Sequence, residues 1–107
     1  MARYAVIGLG RFGMTVAKIL AENGMEVIAI DIKQDMVDEI SALVTSAICM
    51  DSTDESAIRW KKLKEADAVI VGIGNNIQES ILTCAILKKI GVGVVYAKVE
   101  SQLHGRI

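Results

Sequence analysis

A chain of 107 residues is long enough for one compact domain with a modest core, and 52% hydrophobic against 23% charged residues excludes a disordered chain. A net charge of −1 leaves no basic excess to drive phosphate-backbone binding, so nucleic acid is not an expected partner. No apolar run approaches the roughly 18 residues of a bilayer span, and Met1-Ala2-Arg3-Tyr4 leads straight into a strand, so no signal peptide is expected and the chain reads as cytoplasmic.

Apolar strands alternate with helical stretches along the whole chain. The first predicted strand, Arg3–Gly8, runs into Gly8-Leu9-Gly10-Arg11-Phe12-Gly13, and a helix over Arg11–Asn23 runs out of it. A second strand, Glu26–Asp31, ends on a carboxylate 18 residues after the last glycine of that loop. A Gly-x-Gly-x-x-Gly between strand and helix, followed by such a carboxylate, is the signature of a nucleotide-binding βαβ unit. Gly8 permits the tight turn, and Gly10 lets a pyrophosphate approach the backbone. Gly13, with Ala17 one turn later, lets the helix lie close to the sheet. The unpaired N–H groups of the helix start favour an anion there. Asp31 is placed to accept from ribose hydroxyls and would repel a 2′-phosphate, which Lys33 blunts; NAD or a simple adenine nucleotide is therefore favoured over NADP. Arg11 reads two ways: paired with a terminal phosphate, of its own ligand or a neighbouring subunit's, or as a solvent-exposed cation.

A helix over Gln34–Leu43 leads to a third strand, Ser46–Met50, followed by Asp51-Ser52-Thr53. This loop reads equally as an adenine contact, with Asp51 accepting from the amino group, or as a helix N-cap segment. The next helix is expected over Asp54–Leu63, capped by Asp54 or Thr53, and the fourth strand over Ala68–Ile73. Gly72-Ile73-Gly74-Asn75-Asn76 then combines room for a ligand with a turn and a helix cap. A helix over Asn76–Ile90, closed by Gly91 as Gly24 closes the first, precedes a fifth strand, Val94–Val99. Strands apolar on both faces, such as Ala68-Val69-Ile70-Val71, suit a covered parallel sheet. Right-handed crossovers then predict an α/β, doubly wound Rossmann-like sheet in the order 3-2-1-4-5. Ser101–Ile107 reads as the start of a further helix, which suggests a fragment of a longer chain.

The helix over Asn76–Ile90 is apolar on two sides. Residues 77, 81, 84 and 85 form one face, while 82, 86 and 90 point elsewhere, so a second partner is expected beyond the sheet. Trp60, between Arg59 and Lys61, marks either another contact or packing on the rim. Cys49 and Cys84 lack Cys-x-x-Cys spacing and read as reduced thiols.

No catalytic constellation is visible. His104 is the only histidine, Tyr96 is followed four residues later by Glu100 rather than lysine, and His-Glu-x-x-His, Gly-x-Ser-x-Gly and P-loop spacings are absent. The residues thus point to a non-enzymatic sensor, or alternatively to the NAD-binding domain of a dehydrogenase without its substrate domain, and no metal site is expected.

Tyr4–Gly13, Ile30-Asp31, Asp51-Ser52-Thr53, Val71–Gln78 and Ala97-Lys98-Val99 closely resemble the N-terminal lobe of RCK (TrkA-N, KTN) domains, the cytosolic regulatory subunits of Trk/Ktr potassium uptake systems. The resemblance implies a protein that binds ATP, ADP or NAD(H) and signals to a membrane-embedded potassium-transporting subunit, as a homodimer or larger ring. Carried onto this chain, the contacting set is Gly8, Gly10, Arg11, Phe12 and Gly13 around the phosphates, Asp31 and Ile32 by the ribose, and Asp51 and Ser52 by the adenine. Gly74 and Asn75 lie across the cleft. Lys98 faces it only by this resemblance, which also implies a subunit contact for the helix Asn76–Ile90.

Overall fold

The computed structural model describes residues 2–74 and 76–98. Among them the elements run β1 (Arg3–Ile7), α1 (Arg11–Glu22), β2 (Glu26–Asp31), α2 (Gln34–Ile40), β3 (Ser46–Cys49), α3 (Glu55–Ile58), α4 (Lys61–Lys64), β4 (Ala68–Val71), α5 (Ile77–Lys89) and β5 (Val95–Ala97). The strands form one parallel sheet in the order β3-β2-β1-β4-β5, as predicted.

Alternation along each strand divides the core into two layers. Ala5, Ile7, Ile28, Ile30, Val69 and Val71 face Ile58, Leu63, Ile86 and Leu87 from α3, α4 and α5. Val6, Val27 and Ala29 face Met14 and Ala17 of α1 and Ile40 of α2. Both faces are covered, which is why the strands read as continuous apolar runs. Gly24 and Gly91 close α1 and α5 at φ +79° and +100°. In each case the following residue donates back over the cap: Met25 N–H to the Leu20 carbonyl and Val92 N–H to the Leu87 carbonyl.

The expected helix over Asp54–Leu63 is instead two single turns. Ile58 and Leu63 are both fully buried. Five residues apart on a continuous helix, they would point about 140° away from each other, so one would leave the core. Arg59 and Trp60 step out of helical geometry (ψ 49° and 130°) and bring both inward. Trp60 packs half-buried on the rim of that layer, with the Lys62 ammonium 5.7 Å from its ring centroid. Helix α2 also stops short of the expected Leu43, because the chain must turn back for Thr45 to donate its N–H to the Val27 carbonyl at 3.1 Å.

The two-sided reading of α5 resolves into a core face of Ser80, Thr83, Ile86 and Leu87 and an exposed face bearing Ile77, Ile81 and Leu82. Cys84 lies half-buried between them, and burial pushes its thiol pKa up. Val99 and the expected helix start at Ser101–Ile107, with His104, lie outside the described residues.

Candidate functional site

In a sheet of this order the crossovers leave β1 in opposite directions, opening a crevice at the carboxyl ends of β1 and β4. The loop after β1 fills it in a way only glycine allows. Gly8 has φ +93°, and a Cβ built there would lie 2.8 Å from the Gly72 carbonyl group. A Cβ on Gly13 would collide with the Gly8 carbonyl oxygen, so the α1 start is pressed against the loop it leaves. Gly10 differs: it is exposed, it lines the cleft, and a Cβ on it meets no atom within 4 Å. It caps α1 without a side chain, and the first turn of α1 carries no acid. That turn therefore presents its N–H groups and positive dipole end without an internal anion to neutralise them.

Asp31 ties this loop to the second strand. One carboxylate oxygen accepts from Leu9 N–H at 2.6 Å, the other from Lys33 N–H at 2.8 Å. A carboxylate has about four lone-pair sites, so both bonds leave acceptor capacity for a sugar hydroxyl. Asp51 accepts from the backbone N–H and hydroxyl of Thr53 at 2.9 and 2.7 Å. The helix cap itself falls to Asp54, which accepts from Ser56 N–H. Asp51 is thus a turn-holding residue at the cleft wall, and the cap function lies three residues on. The Ser52 hydroxyl points inward and bonds Thr83 of α5 at 2.8 Å.

Across the crevice, Gly72 donates its N–H to the Ile7 carbonyl and Lys98 to the Val71 carbonyl, at 2.7 and 2.9 Å. A Cβ on Gly72 would approach the Phe12 ring to 3.2 Å, and the Lys98 ammonium lies 5.5 Å from that ring's centroid. The cleft encloses about 750 Å³, the range of small-molecule sites. Gly8, Gly10, Arg11, Phe12, Asp31, Ile32, Asp51, Ser52, Gly74 and Lys98 all line it. Gly13 packs behind the loop instead, and Asn75 is outside the described residues. The sequence reading missed Met50, Met36, Asp35 and Glu79, which also line the cleft. Met50 was legible as the end of a strand; Glu79 reaches the cleft only because α5 starts at its lip. Among the described residues no cluster of histidine, cysteine and acidic side chains could hold a metal.

Residues 4–107 match the model of the TrkA-N domain. The chain belongs to the TrkA-N family. It is 47% identical over 104 residues to Ktr system potassium uptake protein C of Bacillus subtilis, covering 97% of this chain and 47% of that protein. It is 39% identical over 105 residues to Ktr system potassium uptake protein A of Vibrio alginolyticus, covering 98% of this chain and 48% of that protein. This TrkA-N chain therefore spans about half the length of the curated relatives it matches. Among solved structures, the NAD(P)-binding domain of an exopolyphosphatase-related protein from Archaeoglobus fulgidus superposes with a TM-score of 0.81 at 21% identity, over 99% of this chain and 82% of that one. The TrkA-N domain of the inner membrane protein ybaL of Escherichia coli gives 0.65 at 16% identity, over 89% of this chain and 86% of that one. At those identities the likeness is one of fold.

Proposed function

We propose that this TrkA-N chain is a nucleotide-sensing regulatory lobe of a potassium uptake system, without catalysis of its own. It takes ATP, ADP or NAD(H) in the cleft and controls a membrane-embedded ion-translocating subunit from the cytoplasmic side. The observation that carries the reading is the open approach to Gly10, above an uncapped helix start and beside Asp31. A diphosphate there meets backbone N–H groups and a helix dipole. Asp31, with one bond already on each oxygen, accepts from the ribose, and its charge opposes a 2′-phosphate. Ile32 and Met50 offer apolar surface to a base, Asp51 an acceptor, and Arg11 and Lys98 cations for outer phosphates. The potassium uptake context is supported by the relatives' names.

Control follows if tri- and diphosphate stabilise different angles between paired lobes. A ligand of equal affinity for both arrangements would switch nothing. The test is a titration of wild type and Arg11→Ala with ATP, ADP, NADH and NADPH. ATP and ADP should compete with NADH, NADPH should bind worst, and Arg11→Ala should weaken ATP by roughly tenfold, about 1.5 kcal/mol for a charge-assisted contact, with a smaller loss for NADH. Absence of binding by any of the four overturns the reading. Preference for the dinucleotide with no effect of Arg11→Ala would favour a dehydrogenase cofactor domain instead.

A further inference from the structure

Ser52 and Thr83 are two of the three buried polar side chains among the described residues, and they bond each other at 2.8 Å. They stand 31 residues apart in sequence, on different elements. Ser52 belongs to the 50–53 loop at the cleft wall. Thr83 is fully buried at the middle of α5 and does not line the cleft. On the Thr83 side the neighbours toward the helix C-terminus are apolar: Ile86 and Leu87 lie on the same face of α5, packed against the sheet, with buried Ser80 one turn before. The pair is held together because Thr83, fully buried and away from the cleft, would otherwise be a polar group without a partner. The opposite face of the same helix is the exposed one, with Ile77, Ile81 and Leu82.

We propose that Thr83 is a positioning residue for the cleft: through Ser52 it holds the 50–53 loop, and an occupant drawing on that loop stiffens α5 beyond its first turn. This rests on the nucleotide-binding reading and adds to it the route by which the cleft reaches the outer face of α5. The helix start touches the cleft directly through Asn76 and Glu79, so protection of the first turn is uninformative. The amides after Thr83 carry the test.

Hydrogen exchange of the amides at 84–90 is followed with and without saturating ATP in four proteins: wild type, Thr83→Ser, Thr83→Val and Ser52→Ala/Thr83→Val. The double variant removes both hydroxyls and leaves no unpaired group, so it is the one least prone to unfold. ATP should slow exchange about fivefold or more in wild type and Thr83→Ser, a coupling of ordinary size, and should not slow it in the two valine variants. Loss of ATP binding by Thr83→Val, with thermal unfolding unchanged and binding retained in Thr83→Ser, also supports the positioning role, because Thr83 does not line the cleft. Equal slowing in wild type and double variant overturns it while leaving nucleotide binding intact. Failure of wild type to bind ATP overturns both. Should the valine variants not fold, Thr83→Ala, which leaves the cleft lining intact, is read by the same criterion.

Discussion

Three glycines in one loop do three different things, and they separate experimentally. Gly13 has no room for a methyl group, since the Gly8 carbonyl occupies the space. Gly13→Ala should therefore cost about 3 kcal/mol or more, at the upper end of overpacking effects, seen as a lower midpoint in urea. Gly10 has open space and an ordinary φ of −73°. Gly10→Ala should leave the urea midpoint within about 1 kcal/mol of wild type, the scale of an N-cap change, yet sharply weaken nucleotide binding. Equal effects on stability would remove the distinction between packing and ligand approach. The tight turn at Gly8 and the close packing at Gly13 were legible from motif spacing, because strand, turn and helix start are contiguous in the chain. Asp31 was legible as the carboxylate that ends the second strand, but not as the acceptor for Leu9 N–H. That bond depends on β1 and β2 lying side by side.

Among the elements, α3 shows how local chemistry and packing divide the work. Its cap was readable as Asp54 or Thr53, and the structure selects Asp54, which accepts from the Ser56 hydroxyl, then the Ala57 and Ser56 N–H groups, so that its carboxyl pKa falls below the ordinary 3.8. Glu55 beside it is held below the ordinary 4.5, first by the Arg59 guanidinium and then by the Lys89 ammonium. Both groups thus titrate lower in the folded chain than in the unfolded one. The stability they contribute is present above those ordinary values and is lost as pH falls through the depressed folded ones. Melting temperature should therefore drop on acidification below pH 4.5, more gently in Asp54→Asn and Glu55→Gln; parallel curves would contradict the assignment. The break at Arg59–Trp60 was not readable. Residues 54–63 carry no proline or glycine to mark it. The break answers to the sheet, which needs Ile58 and Leu63 on one side.

At the scale of the whole molecule, α5 carries an apolar surface that the sheet does not cover. Ile77, Ile81 and Leu82 are 51%, 63% and 48% exposed along one helix. A contact between copies would cover them. Ile81→Asp with Leu82→Asp should shift the chain toward monomer in sedimentation velocity, while surface changes of this kind leave unfolding within about 0.5 kcal/mol. An unchanged association state would rule this face out. Among the described residues no helix is long and apolar enough to cross a membrane.

Strand order, the covered sheet and the glycine loop were determined by the chain alone. Their causes are local periodicity, backbone sterics and the handedness of crossovers, and each is written in neighbouring residues. The tertiary structure decided which side of α5 faces the sheet, where the third predicted helix breaks, and that Ser52 meets Thr83 and Lys98 the Phe12 ring. Those outcomes depend on how much volume each layer can hold and on which distant side chains arrive together. No spacing within one segment records either.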